Sequence, residues 1–250
     1  MVDEIEMLIR EFGPSHFWMT DDIFGLKPGW VQEFNQLVQE RGLKFSYNIQ
    51  SRADLLLKED TIEVMAQSGI EEIWIGAESG SQSVLDAMDK GTKIEQIYEA
   101  TRLVKAKGVR MAFFLQFGYP GETREDIDKT INMVMDLMPN NIGVSVSYPL
   151  PGTKFYDTVK EQLVDKQNWT DSDDLDLMFE NEYHPDFYRK LQRYIHHKLR
   201  KKQGAENLGK LFRAPWKVDK QSLRSALGTF YYIPAVAKEA RELKKLESAG

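Results

Sequence analysis

Residues 110–134, RMAFFLQFGYPGETREDIDKTINMV, decide the fold class. The first eight are rich in aromatic and aliphatic side chains and read as a buried strand. GYPGET at 118–123 is a tight turn built from two glycines and a proline. Thr123, with Asp126 three residues on, has the pattern of a helix amino-terminal cap, and Ile127, Ile131, Val134 and Met138 then recur at helical spacing. Strand, turn and helix in this order make half of a βαβ unit, and the same pattern recurs along the chain. Further strands are predicted at 16–21 (HFWMTD), 44–50 (KFSYNIQ), 72–77 (EIWIGA) and 142–148 (IGVSVSY), with helices near 29–41, 59–68, 81–89, 93–107 and 123–138. Gly42, Gly69 and Gly108 stand just past three of these helices, where a left-handed residue closes the last turn.

Repeated βα units give a doubly wound sheet or a barrel. The distinctive residues follow the carboxyl ends of the strands: Asp21 and Asp22; Gln50 and Arg52; Glu78 and Ser79; Gly118, Pro120, Gly121 and Glu122; Tyr148 and Pro149. In a (β/α) barrel that rim is where an active site is built. No GxGxxG follows the first strand, so the dinucleotide-binding alternative lacks its main signal. The expected fold is therefore α/β, a partial TIM-like barrel with five visible βα units and a C-terminal helical tail. Residues 2–12 form an amphipathic helix with Ile5, Leu8, Ile9 and Phe12 on one face. No strand precedes it, and the expectation is that an upstream strand and its loop, which would make a sixth unit, have been removed, lost or supplied by another chain.

The 250 residues, 42% of them hydrophobic, suffice for one main domain with an appended module. No run of 18 apolar residues and no secretory signal occurs, so no membrane span is expected and the predicted location is cytoplasmic. The chain has no cysteine, which excludes disulfides and thiolate metal sites, and His16, His184, His196 and His197 fall in no zinc spacing. No bound metal is expected. The net charge of −6 conceals an asymmetry: residues 183–250 hold 16 Lys/Arg against 6 Asp/Glu, and residues 1–182 hold 17 against 33. Aromatic residues do not interleave with the basic ones as in single-strand-binding surfaces, which argues against a nucleic-acid partner. The basic tail is expected to pack on the acidic body. The predicted organisation is a barrel at 1–160, an acidic linker or lid at 161–182 with DSDD at 171–174, and a basic helical tail at 183–250. In the tail, 185–202 reads as a helix with a solvated basic face, and 221–247 as one or two helices interrupted at Gly228 and Pro234.

HFWMTDDIF, YNIQSRADL, IWIGAESGSQSVLDAMDKGT, FFLQFGYPGETREDI and SYPLPGTKFYD, in this order and spacing, resemble the radical S-adenosylmethionine (SAM) domain of the cobalamin-associated subfamily. That group includes anaerobic magnesium-protoporphyrin IX monomethyl ester cyclase and many methyltransferases. The resemblance covers about residues 1–160 and implies a six-unit partial barrel. It also implies a CxxxCxxC loop after the first strand that holds a four-iron four-sulfur cluster, and often a cobalamin-binding domain before it. By the resemblance, this chain is expected to begin just after that loop. Asn48 stands where relatives can carry a further cysteine.

For individual residues the resemblance implies SAM contacts, and each has a plainer alternative. Asp21 and Asp22 would lie near the methionine amino group, or shape a turn. Gln50 ends the strand that precedes Arg52. Arg52 would grip the SAM carboxylate or an acidic substrate, or pair with Asp54. Glu78 would accept ribose hydroxyls with help from Ser79, or the segment would only start a helix through Ser79 and Ser81. The loop Gly118, Pro120, Gly121, Glu122 would bring backbone against adenine and methionine, or be only a tight turn before a capped helix, and Tyr148 with Pro149 would wall the adenine, or make only a rigid turn.

In intact relatives the cluster reduces SAM to a 5′-deoxyadenosyl radical that abstracts hydrogen from substrate. The expected function is the core of such an enzyme, truncated or split and inactive alone. Its cofactors would be SAM, a cluster for which this chain has no ligands, and cobalamin only where a separate domain supplies it. The expected partners are an upstream segment or chain carrying the cluster loop and the cobalamin domain, a small-molecule substrate, and further copies of the chain through an open strand edge. The alternatives are a non-catalytic SAM-binding or scaffold protein, and a metal-free barrel enzyme using Asp22 or Glu78 for acid–base work.

Overall fold

The computed structural model describes residues 1–163, 175, 179–213, 216 and 219–248, and in it the predicted strands form one sheet. After helix α1 (Val2–Phe12), strands β1 (His16–Trp18), β2 (Ser46–Ser51), β3 (Ile70–Glu78), β4 (Arg110–Phe117) and β5 (Asn141–Val146) lie side by side in chain order. The pairing is parallel, with His16 opposite Ser46, Gln50 opposite Trp74 and Gly76 opposite Phe114. Parallel neighbours require crossovers, and every crossover is helical. α2 (Trp30–Glu40) joins β1 to β2; α3 (Ala53–Leu56) and α4 (Thr61–Gln67) join β2 to β3; α5 (Gln82–Ala87) and α6 (Ile94–Ala106) join β3 to β4; α7 (Arg124–Leu137) joins β4 to β5. This is the α/β, sequential parallel topology expected of a partial (β/α) barrel. β1 is shorter than the predicted 16–21 because the chain turns away after Trp18, with Met19 N–H still donating to Asn48 O at 2.9 Å. A three-residue edge strand offers few unpaired backbone groups to another chain.

Two compact units make up the chain. The first comprises Met1–Glu78, Asp89–Leu115 and Pro139–Gly143. Its core centres on Phe24, whose ring lies 4.9 Å from Trp30, 5.7 Å from Phe34 and 5.9 Å from Tyr47. Ile49, Ile73, Ile75 and Phe113 are fully buried beside them, as strands covered on both faces require. Tyr47 donates to or accepts from Ser68 Oγ at 2.6 Å, and burial pushes its phenol well above the usual range. The apolar face of α1 is covered only in part. Val2 and Ile5 are buried, Leu8 and Ile9 half-buried, and Phe12 is 75% exposed.

The second unit comprises Ser79–Met88, Gln116–Met138 and Val144–Gly250. It includes α7, α8 (Lys154–Val159), α9 (Pro185–Arg213) and α10 (Lys220–Glu247). α9 outruns its predicted end at 202, and α10 passes Gly228 and Pro234 without a break. Pairing explains both. A Cβ on Gly204 would collide with Thr229 Oγ1 and come within 2.5 Å of Ser225 O, so glycine lets the two helices close on each other. Ala226, Thr229, Val236, Glu239 and Leu243 are buried along α10. This inner packing outweighs the one backbone hydrogen bond that an exposed proline removes. Lys190 pairs with Glu242, and His197 Nδ1 lies 3.0 Å from Glu239. Lys202 Nζ donates to Met135 O at 2.5 Å, and Arg124 pairs with Glu247, so the tail packs on α7. Of the acidic stretch expected as a linker or lid, residues 164–174 and 176–178 lie outside the described residues.

Candidate functional site

Asp22, Gln50, Arg52 and Glu78 come together in the first unit around a cleft of about 210 Å³. Gln50 and Ser51 end β2. Phe24 N–H donates to Gln50 O at 2.8 Å, and Ser51 Oγ donates to Phe24 O at 3.0 Å. These two bonds clip the loop after β1 to the end of β2 and carry Asp22 to the rim. Trp74 and Phe114 form an apolar wall, their rings 4.8 Å apart. Asp21 is exposed and does not line the cleft.

Glu78 is where the sheet is irregular. The β3–β4 register shifts between Gly76 and Glu78, and Glu78 takes φ 54, a left-handed conformation that a side chain with a Cβ rarely adopts. The bulge turns a carboxylate only 14% exposed toward Lys90, whose Nζ donates to Glu78 Oε1 at 2.8 Å. Arg52 Nη2 donates to Lys90 O at 3.2 Å, and Arg52 Nε donates to Asp54 at 2.8 Å, so the rim ion pair read from the sequence is formed. A Cβ on Gly76 would stand 2.7 Å from Glu78 Oε1. Asp22 and Gln50 make no side-chain hydrogen bond among the described residues. The cleft therefore offers two carboxylates, two cations, an amide and an indole face, with Asp22, Gln50 and one oxygen of Glu78 free for a ligand.

The remaining expected residues belong to the second unit. Ser79 is fully buried, pairs with Thr130 Oγ1 at 3.1 Å and accepts from Ser81 N–H, so its hydroxyl is committed within the fold. Ser81 holds the α5 N-cap position, but its hydroxyl donates to Asp126 at 2.6 Å instead of capping the helix. The sequence-predicted cap at α7 is present: Asp126 N–H donates to Thr123 Oγ1, and the Asp126 carboxylate accepts from Thr123 N–H. Burial alone would raise the Asp126 carboxyl, but hydrogen bonds from Ser81, Thr123 and Lys129 hold it at about 2. Gly80 lies hard against α7, where an added Cβ would be 2.5 Å from Lys129 O and 2.7 Å from Thr130 Cα. Gly80→Ala is expected to cost about 2–3 kcal/mol by overpacking against backbone. A urea titration in which the midpoint does not move would show that this approach is loose.

In the loop after β4, Gly118 (φ 75) and Gly121 (φ 82) take left-handed conformations, and Pro120 is half-buried between them. Gly118 N–H donates to Glu122 Oε2 at 2.6 Å, Asn181 Nδ2 donates to Gly118 O at 2.5 Å, and Tyr188 O–H donates to Asn181 Oδ1 at 3.1 Å. Glu122 is 3% exposed, and its Oε1 has no partner. Burial pushes its carboxyl up to about 8, partly offset by the Gly118 bond. Tyr148 is exposed and Pro149 buried.

Lys90, Thr92, Trp74 and Phe114 also line the cleft, and sequence reasoning had not singled them out. Trp74 and Phe114 read as core strand residues. Lys90 lies in a short loop where no periodicity marks a face, and Gly91 beside it (φ 65) is the signal that this loop turns sharply.

A family model described as the Radical SAM superfamily matches residues 1–134. An uncharacterised methyltransferase of Pyrococcus horikoshii is 25% identical over 170 residues, which is 68% of this chain and 37% of that protein. The anaerobic magnesium-protoporphyrin IX monomethyl ester cyclase of Cereibacter sphaeroides is 27% identical over 166 residues, 65% of this chain and 27% of its own. The radical SAM methyltransferase TsrM of Kitasatospora setae, solved with cobalamin and a four-iron four-sulfur cluster bound, is similar in fold. Its TM-score is 0.57 at 21% identity, covering 65% of this chain and 33% of that one. The chain thus spans 27–37% of the length of these two curated relatives.

Proposed function

The chain belongs to the radical SAM superfamily, and from that premise we propose that its first-unit cleft seats the ribose and methionyl end of SAM. The observation that carries the assignment is Glu78, held in a strained left-handed conformation and ion-paired to Lys90 where the cleft opens. Strain of this kind costs about 1–3 kcal/mol and persists where the surroundings over-determine it, which is common at ligand sites. The donor set matches the ligand. Glu78 Oε2 accepts from the ribose diol, Asp22 and Gln50 face the ammonium group, and Arg52 with Lys90 complements the carboxylate. SAM supplies the nucleoside and the sulfonium; the chain's own residues bind and orient them.

A four-iron four-sulfur cluster does not fit the residues present. The chain has no cysteine, and no group of three His, Cys, Asp or Glu side chains among the described residues could hold a metal ion. No radical step is assigned to this polypeptide. In a protein that performs one with this core, the cluster and any cobalamin come from another segment or chain, and the polypeptide by itself is inactive. The same lack of thiolates favours a second reading, a SAM-binding protein that does no radical chemistry.

Calorimetry with SAM and with S-adenosylhomocysteine tests the cleft. Measurable binding by the parent chain is expected, weakened by about 1–3 kcal/mol in Glu78→Ala through loss of a charged hydrogen bond. No binding to the parent, or equal binding to the variant, overturns the assignment.

A further inference from the structure

The first half of α10 carries an outer face unlike the rest of the helical pair. Leu223, Leu227, Phe230, Tyr231 and Ile233 are 42–66% exposed, and Phe212 at the end of α9 is 84% exposed. Residues 223, 227, 230 and 231 fall on one side of the helix, opposite the buried Ala226, Thr229 and Val236 that pack toward α9. Farther along α10 the exposed positions are Lys238, Arg241, Lys244 and Lys245 with the small Ala237 and Ala240, and no large apolar side chain is among them. The apolar stretch is bordered by charge of one sign. Residues 207–237 hold five Lys/Arg, among them the exposed Lys210, Arg213, Lys220 and Arg224, against Asp219 as the single acid. Asp219 is engaged in accepting from Ser222 N–H at 2.7 Å.

We propose that this face lies on an anionic lipid bilayer, with the leucines and aromatic rings at the acyl boundary and Lys220 and Arg224 at the phosphates. An exposed helix stripe of large apolar side chains edged by Lys and Arg is the composition of an interfacial helix. No described helix is long and apolar enough to cross a membrane, so the contact lies along the surface. Charge selects this occupant over a second copy. Two such faces brought together about a two-fold axis would set cationic rims against each other.

Flotation of the full chain with vesicles provides the test. Recovery is expected with phosphatidylserine–phosphatidylcholine vesicles and not with phosphatidylcholine alone. The double variant Leu227→Ser/Phe230→Ser is expected to lower partitioning at least about tenfold, and Lys220→Glu/Arg224→Glu at least about twentyfold. Both pairs are exposed, and circular dichroism checks that the helices remain. Four outcomes overturn the proposal: no flotation, equal flotation on both vesicle types, no effect of either variant, or a dimer in sedimentation that Leu227→Ser/Phe230→Ser dissolves.

Discussion

Glu122→Gln is expected to remove a pH dependence of stability that the parent chain shows between about pH 5 and pH 8. The native carboxyl is pushed up to about 8 by burial, while the unfolded chain titrates near the ordinary value of 4.5. Between these values the folded state binds the proton and the unfolded state does not. Stability therefore falls as pH rises, by about 1.4 kcal/mol per unit for one such group, and levels off once the native group ionises. Glutamine keeps the shape and titrates in neither state. Its amide can still accept from Gly118 N–H, although the end that replaces the unpartnered Oε1 stays without a partner and imposes a constant cost. The difference in unfolding free energy between variant and parent should accordingly climb toward higher pH by a few kcal/mol in all. Urea unfolding of both proteins across pH 5–8 measures it, and parallel profiles would mean that Glu122 is solvated or paired in solution.

The other large effect is all-or-none. Anaerobic incubation of the purified chain with iron, sulfide and reductant is expected to yield no cluster absorbance and no 5′-deoxyadenosine from SAM. Iron–sulfur clusters of this kind are held by thiolates, and none of the 250 residues is cysteine. A stoichiometric cluster with SAM cleavage would mean that side chains other than thiolates hold a cluster in this polypeptide. Because the calorimetric test of the cleft needs no cluster, the two experiments can fail independently.

Much of this architecture was legible because strand and helix periods are strongly written between residues 16 and 148. The Thr123–Asp126 cap and the glycines after α2, α4 and α6 mark boundaries that the structure keeps to within a few residues. Asp22, Gln50, Arg52 and Glu78 stood out as polar residues at the ends of apolar strands, and they share a cleft. What was not legible depends on contacts distant in sequence. Lys90 earns its place only through Glu78 and the Arg52 bond to its carbonyl. Ser79 looked available and is consumed by Thr130, fifty-one residues away. Gly228 and Pro234 read as breaks because local propensity opposes helix there, and the partner helix α9 overrides it.

The close pairing of α9 and α10 also has a mechanical meaning. Lys202 grips Met135 eleven residues before α9 ends at Arg213, so about 16 Å of doubled helix runs beyond that anchor at 1.5 Å per residue. Two helices locked at Gly204 bend together far less than either would alone. A load at the far end is therefore delivered as torque to α7 instead of being absorbed along the way. A swing of about 5° at the anchor displaces that end by only about 1.4 Å, by the same rise per residue. The arm is stiff and short-throw, suited to holding an orientation.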